Sequence, residues 1–91
     1  MATLSRMQKR VQAEARYHAQ LREGLHCAAE SVEISLPATE AEILEALAGL
    51  HPAQGNLIRA SRVVVEDEYL PPGTILQEVR AFDLISPISG G

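Results

Sequence analysis

Apolar and polar residues alternate from Arg10 to Gln20, with Val11, Ala13, Ala15, Tyr17 and Ala19 set against Gln12, Glu14, Arg16, His18 and Gln20. A period of two places the first set on one face of a half-buried strand. The segment from Gln20 to Ala29 loses this period and reads as a loop with room for one helical turn. Alternation returns at Ser31 to Leu36, where Val32, Ile34 and Leu36 share one face and Ser31, Glu33 and Ser35 the other. The two strands are expected to pair as a hairpin.

Pro37 ends the second strand, and the period then changes to that of a helix. Thr39-Glu40-Ala41-Glu42 is a capping box, in which the threonine hydroxyl and the Glu42 carboxylate each satisfy an amide left over at the helix start. Ile43, Leu44, Leu47 and Leu50 follow as a stripe expected to face the core, while Glu40, Glu42 and Glu45 form an acidic face expected to be solvated. His51-Pro52 stops the helix, and Ala53 to Asn56 reads as a loop. Ser61 to Glu66 holds three consecutive valines, the mark of a buried central strand. Asp67 to Leu70 turns and begins a short edge strand, Pro71-Pro72-Gly73 makes a turn, and Val79 to Ile85 is the last strand. In that strand Phe82 and Leu84 face the core, and Ala81, Asp83 and Ile85 face out. The order β-β-α-β-(β)-β defines an α+β fold, one main helix covering a mixed sheet.

Ninety-one residues allow one domain, and 46% apolar residues suffice for a packed core. Aromatics are limited to Tyr17, Tyr69 and Phe82, so the core rests on aliphatic side chains. The net charge of −4 speaks against nonspecific binding to nucleic acid or to an anionic membrane. No run approaches the roughly 20 apolar residues that span a bilayer. The lone Cys27 cannot form an internal disulfide, which agrees with a reducing, cytoplasmic setting. Its position suggests no nucleophile motif, and His18, His26 and His51 lack the spacing of metal ligands. Lys9 is the only lysine beside seven arginines.

The chemistry sits at the end of the chain, Ser86-Pro87-Ile88-Ser89-Gly90-Gly91. Pro87 blocks further strand pairing, so residues 86–91 are expected to leave the domain (residues 10–85) as an extended arm. Residues 1–9 carry no strand or turn signal and are expected to be a flexible extension. Two terminal glycines lack side chains and fit a channel too narrow for other residues. Such an arm delivers a carboxylate into a partner's active site. Once activated as an acyl-adenylate, that carboxylate can accept sulfur or an amine.

Tyr17-His18-Ala19-Gln20-Leu21-Arg22-Glu23, the strand and turn from Val63 to Leu70, and the ending from Phe82 to Gly91 together resemble the small subunit of molybdopterin synthase. This is a branch of the MoaD/ThiS-like sulfur carriers, and the resemblance covers residues 12 to 91. It implies a β-grasp (ubiquitin-like) fold. It also implies a cycle in which a ubiquitin-activator-like enzyme uses ATP to adenylate Gly91, and a sulfur donor protein then converts it to a thiocarboxylate. The arm Pro87, Ile88, Ser89 and Gly90 would insert into the large subunit of molybdopterin synthase, in a heterotetramer, for sulfur transfer to a pterin. On this resemblance His18, Tyr69 and Ile85 form the docking patch, and Arg22 pairs with an acidic partner group. The chain would be a co-substrate with no catalytic residues, no bound cofactor and no metal.

The chain departs from the pattern at Ser86, where a proline is usual, and at Glu66, where an asparagine is common. His18 replaces an aromatic residue, and Glu78 to Arg80 replaces a Gly-Asp-Glu turn. These departures leave open a carrier for another sulfur pathway such as thiamine or cysteine. They also leave open a modifier conjugated through Gly91, and a noncovalent adaptor.

Overall fold

The computed structural model describes residues 8–87. The first hairpin forms as its alternation demands: β1 (Lys9–Tyr17) pairs antiparallel with β2 (Ala29–Leu36), Val11 opposite Ile34 and Ala13 opposite Val32. Ala13, Ala15, Tyr17, Val32, Ile34 and Leu36 are buried, and the polar residues between them are exposed, apart from the half-buried Glu30.

Strand β1 ends at Tyr17 rather than running on through Ala19. His18 remains extended, but Ala19 turns to a left-handed φ of 51° and opens α1 (Ala19–Leu25), which His26 closes at φ 60°. This helix replaces the expected loop. Gln20, Leu21, Arg22 and Glu23 are all good helix formers, and the helix lets Leu21 plug the core with no exposed surface.

After the short β3 (Ala38–Thr39), the capping box forms as expected. Glu42 N donates to Thr39 Oγ1 at 3.2 Å, and Thr39 N donates to Glu42 Oε1 at 2.9 Å. They start α2 (Glu40–Leu50), which buries Ile43, Leu44, Leu47 and Ala48. Leu50, though expected in the stripe, is 55% exposed because the helix ends there. At about 100° per residue it lies about 20° beyond Ile43, the edge of the stripe, at the last residue of the helix. Glu40 is not simply solvated either. Its Oε2 accepts from the Val63 amide at 2.8 Å and from Arg62 Nε at 2.9 Å, fastening the helix start to the sheet.

The expected loop after His51 is a 3-10 turn (Pro52–Gln54) and α3 (Gly55–Arg59). Helix α3 packs on α2, with Gly55 buried beside Ala48, and Ile58 is fully buried. The buried Ser61 donates to the Leu57 carbonyl at 2.7 Å.

The rest of the chain completes the sheet. Strand β4 (Arg62–Val65) turns through Glu66 and Asp67 into β5 (Glu68–Tyr69), with Val65 opposite Glu68. Both turn residues have positive φ, 53° and 66°, the backbone of a two-residue type I′ hairpin. Pro71 to Thr74 is the expected turn. Gly73 at φ 81° supplies the left-handed position, and Thr74 N donates to the Pro71 carbonyl at 3.1 Å. Strand β6 (Ile75–Leu76) pairs with β3 as a separate ribbon. Strand β7 (Ala81–Ile85) starts two residues later than expected, with Val79 buried ahead of it.

The five-stranded sheet has the order β2-β1-β7-β4-β5, and β1 and β7 run parallel at its centre. Helix α2 covers one face, with Phe82, Leu84 and Val63 among the buried residues beneath it. The other face carries the opposite side chains of the same strands.

Candidate functional site: the outer sheet face and the root of the arm

Because β1 and β7 are parallel, both end at the same pole of the domain. There β1 passes into His18 and α1, and β7 passes into Ser86 and the exposed Pro87. Ser86 and Pro87, where the expected arm would begin, therefore lie beside the last residues of β1. Ile88, Ser89, Gly90 and Gly91 lie outside the described residues.

Strand alternation decides which side chains share the outer face with the arm's root. In β7, Phe82 and Leu84 are buried and Ala81, Asp83 and Ile85 are half-buried on the other side, as the sequence pattern requires. The register sets Arg16 beside Asp83, Asp83 beside Val64, Val64 beside Tyr69, and Ile85 beside Arg62. His18, one residue beyond the pairing of Tyr17 with Leu84, falls at the level of Ile85.

Three of the four expected docking residues thus share this face. Tyr69 is 55% exposed, His18 is exposed and Ile85 is half-buried. The fourth, Arg22, is exposed on α1, next to the buried Leu21, and belongs to the same pole but not to the sheet face.

Two charged groups that sequence reasoning did not select organise the face. Asp83 Oδ1 lies 3.4 Å from a terminal nitrogen of Arg16 and its Oδ2 lies 3.3 Å from His18 Nε2, so one carboxylate spans two cations or a cation and an imidazole. Arg62 joins the edge: its guanidinium carbon is 5.1 Å from the Tyr69 ring centroid, and a terminal nitrogen donates to the Leu70 carbonyl at 3.1 Å. The outward phase of β7 pointed to Asp83. Nothing in the sequence marked Arg62 beyond its place at the start of a β-branched run.

On the inner side of the same pole, Glu30 Oε2 accepts from the Tyr17 hydroxyl at 2.6 Å and also contacts His51 Nε2. Burial, with the Glu30 contact second, raises the Tyr17 phenol above its ordinary range. Burial also pulls the Glu30 carboxyl up, but the Tyr17 and His51 hydrogen bonds outweigh it and hold Glu30 below the usual value. Cys27 is pushed up by burial and then by the nearby Glu30 charge, which keeps the thiol protonated and a poor nucleophile. Among the described residues no group of three His, Cys, Asp or Glu is placed to hold a metal ion. No helix among them is long and apolar enough to cross a membrane.

Residues 15–91 match the model of the ThiS family. Among solved structures the chain is similar to SAMP1 from Haloferax volcanii, at 27% identity and a TM-score of 0.67, over 89% of this chain and 100% of that one. The protein HVO 2177 from Haloferax volcanii matches at 20% identity and a TM-score of 0.69, over 90% of this chain and 88% of that one. The Pyrococcus furiosus protein assigned as molybdopterin converting factor, subunit 1, matches at 15% identity and a TM-score of 0.68, over 86% of this chain and 99% of that one. No curated protein gives a significant sequence match.

The fold is therefore the β-grasp fold of small carrier and ubiquitin-like proteins. The chain belongs to the ThiS family, whose members are non-catalytic carriers activated by adenylating enzymes related to ubiquitin activators.

Proposed function

We propose that the chain is a sulfur carrier that works through the carboxylate of Gly91. The observation that carries this reading is the position of Pro87, exposed just past the end of the central strand β7 and followed in the sequence by Ile88-Ser89-Gly90-Gly91. Ser86 and Pro87 leave the end of β7 next to the outer face that carries His18 and Ile85. Family membership supplies the chemistry that such an arm serves. The Gly91 carboxylate attacks the α-phosphate of ATP in the activating enzyme, and pyrophosphate leaves. Hydrosulfide supplied by a donor protein then attacks the acyl carbon: the C–S bond forms as the C–O bond to AMP breaks, AMP leaves with that electron pair, and a thiocarboxylate remains on Gly91. Gly91 carries the sulfur, Gly90 keeps the arm slender, and Pro87, Ile88 and Ser89 set its direction.

Tyr69, His18 and Ile85 dock the activating enzyme, and Arg22 pairs with an acidic group at the rim. The receiving pathway we favour is molybdopterin synthesis in the cytoplasm, with this chain as the small subunit at each end of a large-subunit dimer. The resemblance of the Phe82 to Gly91 ending supports that choice. A second reading, a modifier conjugated to protein amines through Gly91, is favoured by the likeness to SAMP1. Both need adenylation. ATP–pyrophosphate exchange by the activating enzyme should depend on the full chain and vanish on deletion of Gly91. Absence of exchange with the full chain would remove both readings and leave a noncovalent adaptor, and undiminished exchange with the deleted chain would remove Gly91 as the required terminus.

A further inference from the structure

Arg62 is the meeting point of three contacts on the outer face. Its Nε donates to Glu40 Oε2 at 2.9 Å, a terminal nitrogen donates to the Leu70 carbonyl at 3.1 Å, and its guanidinium carbon lies over the Tyr69 ring, 5.1 Å from the centroid. Glu40 is itself fixed, because the same oxygen accepts from the Val63 amide at 2.8 Å. A continuous set of contacts thus runs from the first turn of α2 through Glu40 and Arg62 to Tyr69.

Tyr69 needs such support. It ends a two-residue edge strand, and its side chain is 55% exposed, so the sheet alone leaves the ring free to swing between rotamers. A planar guanidinium can serve a carboxylate, a carbonyl and a ring face together, whereas an ammonium on a flexible stem cannot hold all three. Arg62 also stands opposite Ile85 in the β4–β7 ladder, which puts it between two residues of the docking patch.

We propose that Arg62 is a positioning residue for docking. It covers one face of the Tyr69 ring and fixes the ring's orientation, so that the other face and Ile85 are offered together to the activating enzyme. Its charge is already matched by Glu40. The partner group that fits is therefore an apolar or aromatic side chain against the free face of Tyr69, not a carboxylate against Arg62. The inference rests on the reading of Tyr69 as a docking residue.

The test is ATP–pyrophosphate exchange at varied carrier concentration, with the full chain, Arg62→Lys, Arg62→Ala, Tyr69→Ala and the Arg62→Ala/Tyr69→Ala double variant. Folding of each is checked by circular dichroism and melting. Arg62→Ala should raise the KM for the carrier roughly two- to fivefold, the scale of one exposed cation–π contact, and leave kcat unchanged. Arg62→Lys should raise it as well, despite keeping the charge. In the Tyr69→Ala background the Arg62→Ala change should add nothing further. A KM that rises in Tyr69→Ala but stays at the wild-type value in both folded Arg62 variants would overturn the positioning role and leave the docking reading standing. Independent effects that multiply in the double variant would also overturn it. An unchanged KM in Tyr69→Ala itself would remove the docking reading, and the inference with it.

Discussion

The hydroxyl of Tyr17, itself 1% exposed, donates to Glu30 Oε2 at 2.6 Å, and the same oxygen is shared with His51 at the end of α2. One carboxylate therefore ties β1, β2 and the main helix together at the pole where β1 and β7 end.

This contact predicts a pH dependence. The folded carboxyl of Glu30 lies below its ordinary 4.5 because the two hydrogen bonds outweigh burial. A carboxyl with a depressed folded pKa contributes stability above the unfolded value and loses it as pH falls through the folded value. The wild-type protein should thus lose stability to acid below about pH 5, and Glu30→Gln should show a shallower loss over that window. Tyr17→Phe should cost about 1–3 kcal/mol at neutral pH in urea unfolding, as expected for a hydrogen bond to a charged group. Equal acid sensitivity in Glu30→Gln and wild type would contradict the account.

The hairpin between β4 and β5 makes a second prediction. Glu66 holds a φ of 53°, a conformation that costs a non-glycine residue about 1 kcal/mol and that asparagine tolerates better. Glu66→Asn should raise stability by about 0.5–1 kcal/mol in denaturant unfolding, with an unchanged m-value. A loss of stability would mean that Glu66 makes a contact that outweighs its strain.

Most of the sheet was legible in the sequence because its strands alternate cleanly and their breaks are marked by Pro37 and Pro71-Pro72-Gly73. The capping box was legible for the same reason: its signal is local. The turn into β5 was expected from Asp67, but Glu66, read as the end of the preceding strand, takes its first position. What escaped depends on tertiary packing. The alternation through Ala19 continued past the true end of β1, because nothing local says that Leu21 must fold back over the core. Helix α3 was hidden by Pro52 and Gly55, residues poor for helices, and is held by its packing on α2. For the site, the outward phase of β7 placed Ile85 and could place Asp83. The contacts of Arg62 and Glu40 join residues 22 apart and have no sequence signal.

The same reasoning makes α1 testable. If α1 exists to seat Leu21, then Leu21→Ala should cost about 2–5 kcal/mol, the range for deleting a buried leucine side chain. An exposed neighbour such as Gln20→Ala should change stability by less than about 0.5 kcal/mol. A Leu21→Ala cost as small as that of Gln20→Ala in urea unfolding would place Leu21 outside the core.

The central claim is that Gly91 is the atom-bearing end of a sulfur carrier. The most direct test is the intact mass of the full chain after incubation with its activating enzyme, ATP and a sulfide source. The account predicts a gain equal to the difference between one sulfur and one oxygen atom, localised to Gly91 by fragmentation and absent without ATP. An unchanged mass under conditions where the enzyme forms the adenylate, or a gain on any residue other than Gly91, would contradict it.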